Sequence, residues 1–299
     1  MMDSLSRRNF LQHTLLIAGS AVLLPRFGSL TRAFCQDHQP EDVATCERKF
    51  ALAVAQSLKE KPIGEVVVAI GTSFTGTPYV ANALEVPDEE RLVINMQGLD
   101  CVTFIENSLA LSRCIKLGRV TFEDYKRQVQ LIRYRDGIIN RYPSRLHYFS
   151  DWIDNNVFKK VVRDVTEEIG GRPYRKTVSY MSSHRHSYRQ LSDNTFLAKT
   201  RQTEKELTRR QHYYIPKKDI ASVQEKIRNG DIIAITASLK GMDVAHTGVA
   251  IRAGGALKLL HAPIVGSSVQ ITEEPLVEYL KLHNSQTGII IARPLEPAA

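Results

Sequence analysis

The sequence predicts a single α+β domain with helices first and an antiparallel sheet later. Three observations carry that expectation. Between residues 41 and 134, apolar side chains recur at three- and four-residue steps. From 231 to 293, short β-branched runs are separated by turn signals such as Gly254-Gly255. No internal repeat, low-complexity tract or linker divides the 299 residues. The composition, 43% hydrophobic and 24% charged, suits a globular chain able to bury a full core.

Residues 1–33 read as an export signal rather than structure. Ser6-Arg7-Arg8-Asn9-Phe10-Leu11 is a twin-arginine motif. The apolar run Leu15 to Leu24 follows it, shorter than the about 20 residues that a bilayer span needs. Thr31-Arg32-Ala33 offers a small-x-small cleavage site. Substrates of this route are usually exported folded, so a periplasmic protein is expected, without stable membrane insertion after export. Residues 34–44 are expected to form a flexible mature N-terminus, and 45–299 the catalytic domain. Cys35 and Cys46 either pair as a disulfide in an oxidising compartment or remain two free thiols.

The first helical stretch runs over 41–71, with Val43, Phe50, Val54 and Leu58 as its stripe and a break at Lys61-Pro62. Residues 72–95, rich in Gly, Thr and Pro, read as a loop. The next helix starts with Asp100 as N-cap, carries Phe104, Ile105, Leu109, Leu111 and Ile115 on one face, and stops at Leu117-Gly118. A further helix spans 121–134, followed by a loop over 135–150. Residues 172–217 are strongly polar and read as an elaboration over the sheet or a lid. Strands are expected at 231–236, 247–252, 257–260, 269–271 and 288–293, with a short helix at 275–282.

Cys101 is the most informative residue. On the first turn of its helix it meets the positive end of the helix dipole and free backbone N–H groups, both of which favour thiolate. The plainer alternative is a small buried hydrophobe. Cys114, thirteen residues on, lies about 220° around the helix and belongs to the core. A thiol nucleophile needs a base, and the base needs an orienting group. His246 opens one strand and His261 closes the next, so pairing through Gly254-Gly255 makes them cross-strand neighbours at one end of a hairpin. The chain has no Cys-x-x-Cys or His-Glu-x-x-His motif, and His184-Arg185-His186 is a weak metal cue, so no metal or other cofactor is expected. The net charge is +8, partly from the signal. Basic residues are spread without a nucleic-acid module. They suit an anionic wall polymer, a carboxylated substrate or a solvated face.

Asp100-Cys101 at a helix start, His246-Thr247-Gly248 on a strand and a polar residue on the next strand resemble the papain-like NlpC-type peptidoglycan hydrolases. More specifically, the chain resembles their N-acetylmuramoyl-L-alanine amidase-like branch. The resemblance runs through Gly76-Thr77-Pro78-Tyr79-Val80, Leu99 to Phe104, Tyr134 to Gly137, Ser144 to Tyr148, Gly230 to Ile233, Ala245 to Gly248, Ser285 to Gly288 and Arg293-Pro294. It implies that Cys101 attacks an amide carbonyl, His246 is the base, His261 orients it, and the Cys101 N–H helps hold the oxyanion. It assigns Tyr79, Asp100, Arg145, His147 and Tyr148 to substrate binding, with Arg145 facing a muropeptide carboxylate. Alternatively, Arg145 and His147 only pin their loop to the core. The implied reaction is hydrolysis of the amide between N-acetylmuramic acid and L-alanine, on a soluble 1,6-anhydro-muropeptide. The implied partner is that substrate alone, taken by a monomer, with no nucleic acid. Other readings are a D-glutamyl-diamino-acid endopeptidase, an acyltransferase or lipid hydrolase on the same fold, and a non-catalytic muropeptide-binding protein.

Overall fold

A computed structural model describes residues 39–85, 89–264 and 268–298. The expected export signal and Cys35 lie outside the described residues. Seven helices of more than one turn are labelled in order: α1 (Pro40–Ala55), α2 (Ile63–Thr72), α3 (Cys101–Leu117), α4 (Phe122–Arg133), α5 (Phe149–Phe158), α6 (Asn194–Arg209) and α7 (Leu276–Lys281). The strands are β1 (Val162–Asp164), β2 (Arg172–Tyr174), β3 (His212–Pro216), β4 (Ile232–Ala237), β5 (Val244–Ala253), β6 (Ala256–His261), β7 (Gln270–Ile271) and β8 (Gln286–Pro294). They form one antiparallel sheet in the order β2-β3-β8-β4-β5-β6-β7, with β1 also paired to β8. The expected α+β order is therefore present. No helix among the described residues is long and apolar enough to cross a membrane.

Local chemistry explains how α3 forms. The Asp100 carboxylate accepts from the N–H groups of Val102 (3.1 Å) and Thr103 (2.7 Å), while Thr103 Oγ1 accepts from the Asp100 N–H at 2.9 Å. This reciprocal cap satisfies amides that the helix itself cannot. Gly118 ends the helix at φ 67°, a left-handed conformation that a Cβ would strain. The single apolar face expected of α3 is corrected by the packing: every residue from Thr103 to Ile115 is buried. Several of its polar groups pair inside the protein. Glu106 pairs with Arg133 of α4 at 2.7 Å, Asn107 with Tyr125, and Arg113 with Gln128. α3 is thus the central helix, with α1, α2 and α4 around it and β5 beneath.

Several expected boundaries move. Helix α1 starts at Pro40, inside the stretch 34–44 expected to be flexible, because Asp42 is buried and accepts from the Met96 N–H at 2.7 Å. The loop expected over 135–150 ends early, since Phe149 opens α5. The polar stretch 172–217 holds β2, α6 and β3, and Asp154 of α5 ties it down through Arg210 (2.8 Å) and His212 (3.0 Å). Cys46 and Cys114 are fully buried free thiols, so Cys114 is a core residue as expected.

Candidate active site

Strand β5 brings the predicted catalytic residues to one place. The Thr247 hydroxyl donates to the Cys101 carbonyl at 2.8 Å, fixing the N-terminus of α3 on the strand beside His246. Strand β6 returns through a two-residue turn at Gly254 and Gly255, whose φ values of 60° and 78° suit a tight hairpin. Its register pairs Val249 with Leu260, so His261 sits diagonally from His246 rather than directly opposite. The diagonal is close enough: His246 Nε2 lies 2.7 Å from His261 Nδ1. Donation from His246 Nε2–H to His261 Nδ1 would leave His246 Nδ1 with a free lone pair, the form in which an imidazole can act as a base.

His261 is itself held tightly. It is 1% exposed, and the Tyr279 ring stands perpendicular to it at 5.4 Å between centroids. Its Nε2 is buried with no hydrogen-bond partner. The His283 ring packs tilted against Tyr279 at 4.4 Å between centroids and bonds the Tyr279 carbonyl through Nδ1 at 2.8 Å. Burial first, then the neighbouring His261 and His283, lowers His246 to about 3. Burial and His283 lower His261 to about 4. Both rings are therefore neutral at ordinary pH.

The thiol departs from expectation. Burial pushes Cys101 up to about 12, and the adjacent Asp100 carboxylate adds to the rise. Hydrogen bonds from the Thr247 N–H and hydroxyl, and from the Cys101 N–H, act in the opposite direction and lose. The helix-dipole reasoning named a real force, but desolvation outweighs it. Burial therefore opposes the thiolate that the helix terminus favours.

Tyr79 joins the same neighbourhood. It forms an isolated parallel bridge with Leu99, and burial followed by the nearness of Cys101 and Asp100 holds its hydroxyl in the protonated form. Asp100 acts as the α3 cap, with its carboxylate committed to the helix amides. Arg145, His147 and Tyr148 are engaged with other groups of the protein. Arg145 is buried and paired with Glu85 (2.7 Å) and Glu90 (3.2 Å), so its charge is already matched. His147 bonds the Tyr142 carbonyl at 3.0 Å and packs on the Tyr142 ring. The Tyr148 hydroxyl donates to Glu204 at 2.7 Å and accepts from the Met181 N–H at 2.8 Å. These contacts are the arrangement of the alternative reading, in which Arg145 and His147 pin their loop to the core. The sequence reading missed Thr247, Tyr279 and His283. Thr247 directly follows His246, and Tyr279 and His283 stand four apart on and just beyond α7. Among the described residues no group of His, Cys, Asp or Glu is arranged to hold a metal ion.

The chain can now be set beside known proteins. Residues 69–289 match the family model described as N-acetylmuramoyl-L-alanine amidase-like. An N-acetylmuramoyl-L-alanine amidase structure from Bacteroides uniformis ATCC 8492 is 39% identical, with a TM-score of 0.75 over 78% of this chain and 98% of that one. A Bacteroides fragilis structure, assigned provisionally as a xylanase, is 40% identical, with a TM-score of 0.72 over 75% of this chain and 99% of that one. A Legionella pneumophila protein at 19% identity shares the fold, with a TM-score of 0.63 over 85% of this chain and 95% of that one. No curated protein matches. The chain belongs to the N-acetylmuramoyl-L-alanine amidase-like family.

Proposed function

We propose that this protein is a papain-like, NlpC-type cysteine amidase cutting the amide between N-acetylmuramic acid, in its 1,6-anhydro form, and L-alanine. The observation that carries the reading is the His246–His261 pair, 2.7 Å apart, on the strand whose Thr247 grips Cys101. As Sγ attacks the lactyl carbonyl carbon, His246 Nδ1 takes the thiol proton. The carbonyl oxygen becomes an oxyanion facing the N–H of Cys101 at the α3 N-terminus. His261 Nδ1 accepts from the imidazolium Nε2–H and keeps it oriented. The C–N bond then breaks, the His246 proton goes to the departing L-alanine nitrogen, and a thioester remains on Cys101. Water, deprotonated by His246, hydrolyses that thioester and restores the thiol. The enzyme acts as a monomer in the periplasm after twin-arginine export, on a soluble muropeptide and without a cofactor.

A glycosidase reading has less support. Hydrolysis of a sugar bond calls for two facing carboxyl groups, and Asp100, the carboxylate next to Cys101, is spent as a helix cap. The deciding experiment is digestion of defined anhydro-muropeptides read by mass spectrometry, with Cys101→Ala as control. Free stem peptide with N-terminal L-alanine is the expected product. Released L-alanyl-D-glutamate identifies an endopeptidase instead, and binding without turnover identifies a non-catalytic binding protein.

A further inference from the structure

One segment of the chain is strongly basic. Residues 172–218 hold twelve Lys and Arg against three Asp and Glu, a greater excess than the +8 of the whole chain. All three acids already have internal work. Asp193 caps α6, Glu204 is buried against Tyr148 and Ser182, and Glu206 accepts from Gln202. On the outer face of α6, Arg201, Lys205 and Arg209 follow one another at four-residue steps, about 6 Å apart along the axis. All three are exposed, and none has a carboxylate partner among the described residues. Like charges at this spacing weaken a helix, so the ridge opposes the stability of the element that carries it. At its C-terminal end the ridge enters a cleft of about 330 Å³ lined by Arg175, Lys176, Arg209 and Arg210. The cleft wall is fixed, because Lys176 donates to the carbonyls of Ala237 (2.7 Å) at the end of β4 and Leu239 (2.8 Å) in the β4–β5 loop. That loop leads into β5 three residues before His246.

We infer that the α6 ridge and its cleft form a docking surface for a carboxylate-rich polymer, the peptidoglycan strand itself. The choice of polymer rests on the proposed muropeptide activity, since each stem peptide carries free carboxylates. The residues between the cations argue against a lipid surface. A helix that lies on a bilayer turns an apolar face to it, whereas Leu197 and Leu207 of α6 are buried inward and its exposed positions hold only polar residues and Ala198. The ridge holds the enzyme on the wall where soluble fragments are released, while Cys101 works on those fragments.

The test uses the Cys101→Ala protein, so that binding is read without chemistry, in co-sedimentation with purified sacculi. The sacculi carry either native carboxylates or carboxylates capped as amides. Native sacculi should bind at 50 mM salt. Binding should weaken at least tenfold on capped sacculi, at 200 mM salt, and in Arg201→Gln/Lys205→Gln/Arg209→Gln. These surface changes should leave the melting temperature unchanged, and the same triple change with Cys101 intact should cleave soluble muropeptide at the parent rate. The inference is overturned by absence of sedimentation with native sacculi, by equal binding to capped sacculi or by the triple variant, or by tighter binding to anionic vesicles or to DNA. Failure of the cleavage assay alone would sink the amidase reading and leave this binding result standing.

Discussion

Replacing His261 by Ala tests how the site works, because its single polar contact at the site is with the base. His261 Nδ1 lies 2.7 Å from His246 Nε2, in a position where His261 is 1% exposed. When His246 takes the thiol proton, that contact becomes a hydrogen bond from a charged donor, worth about 1.5–3 kcal/mol. At about 1.36 kcal/mol per decade, kcat/KM should fall roughly 10- to 150-fold. Loss of the base itself in His246→Ala should cost about 100- to 10,000-fold, so the two variants separate. A second readout guards against a merely structural effect. His261 meets the base and not the substrate, so the loss should fall on kcat with KM nearly unchanged. His261→Asn, which keeps an acceptor, should recover part of the rate. The assay is kcat and KM on an anhydro-muropeptide, with circular dichroism to establish folding. A folded His261→Ala with kcat within threefold of the parent would refute the orienting role.

Arg145→Met should lower stability by about 3–5 kcal/mol and leave KM nearly unchanged, because it strands buried Glu90 without its partner. Thermal melts beside steady-state kinetics check it, and a raised KM with an unchanged melt would restore Arg145 to substrate binding. His147 is held near 3 by burial, well below its unfolded value of 6.5, so its contribution to stability is full above pH 6.5 and is lost as pH falls toward 3. His147→Phe should therefore flatten the pH dependence of unfolding free energy between pH 6 and 4.5 by about 1.4 kcal/mol per pH unit, measured by urea titration. An added Cβ at Gly248 would come within 2.6 Å of the Leu259 side chain and 3.0 Å of the Leu260 carbonyl. Gly248→Ala should consequently push β5 from β6, separate His246 from His261, and reduce kcat more than it reduces the melting temperature. Activity retained at the parental level would contradict that coupling.

What was legible in the sequence is what local rules determine. Asp100 before an apolar periodicity and Gly118 after it bounded α3 to the residue, and the Gly254-Gly255 turn placed His246 and His261 at one end of a hairpin. The diagonal offset between them escaped because a two-residue turn counts the register one step further than a centre at Gly254 does. The pairing of Arg145 was not legible because its partner Glu85 lies 60 residues upstream, and nothing local announces that a guanidinium is already matched. The surroundings of the Cys101 thiol were hidden in the same way: the dipole is visible from the helix, whereas burial and the balance against Asp100 belong to the folded site. Strands β1 to β3 are three to five residues long, and β2 is largely exposed, so no alternation marks them.

The position of β8 constrains the order in which the molecule can be made. It is the last strand in sequence, yet β4 lies along one edge of it and β3 and β1 along the other. A nascent chain lacking residues 286–294 would present two open strand edges instead of a joined sheet. The core closes only once this strand has left the ribosome, so pairing distant in sequence sets the pace of folding. A nonsense codon or frameshift before residue 286 would accordingly abolish the whole domain, rather than trim its end.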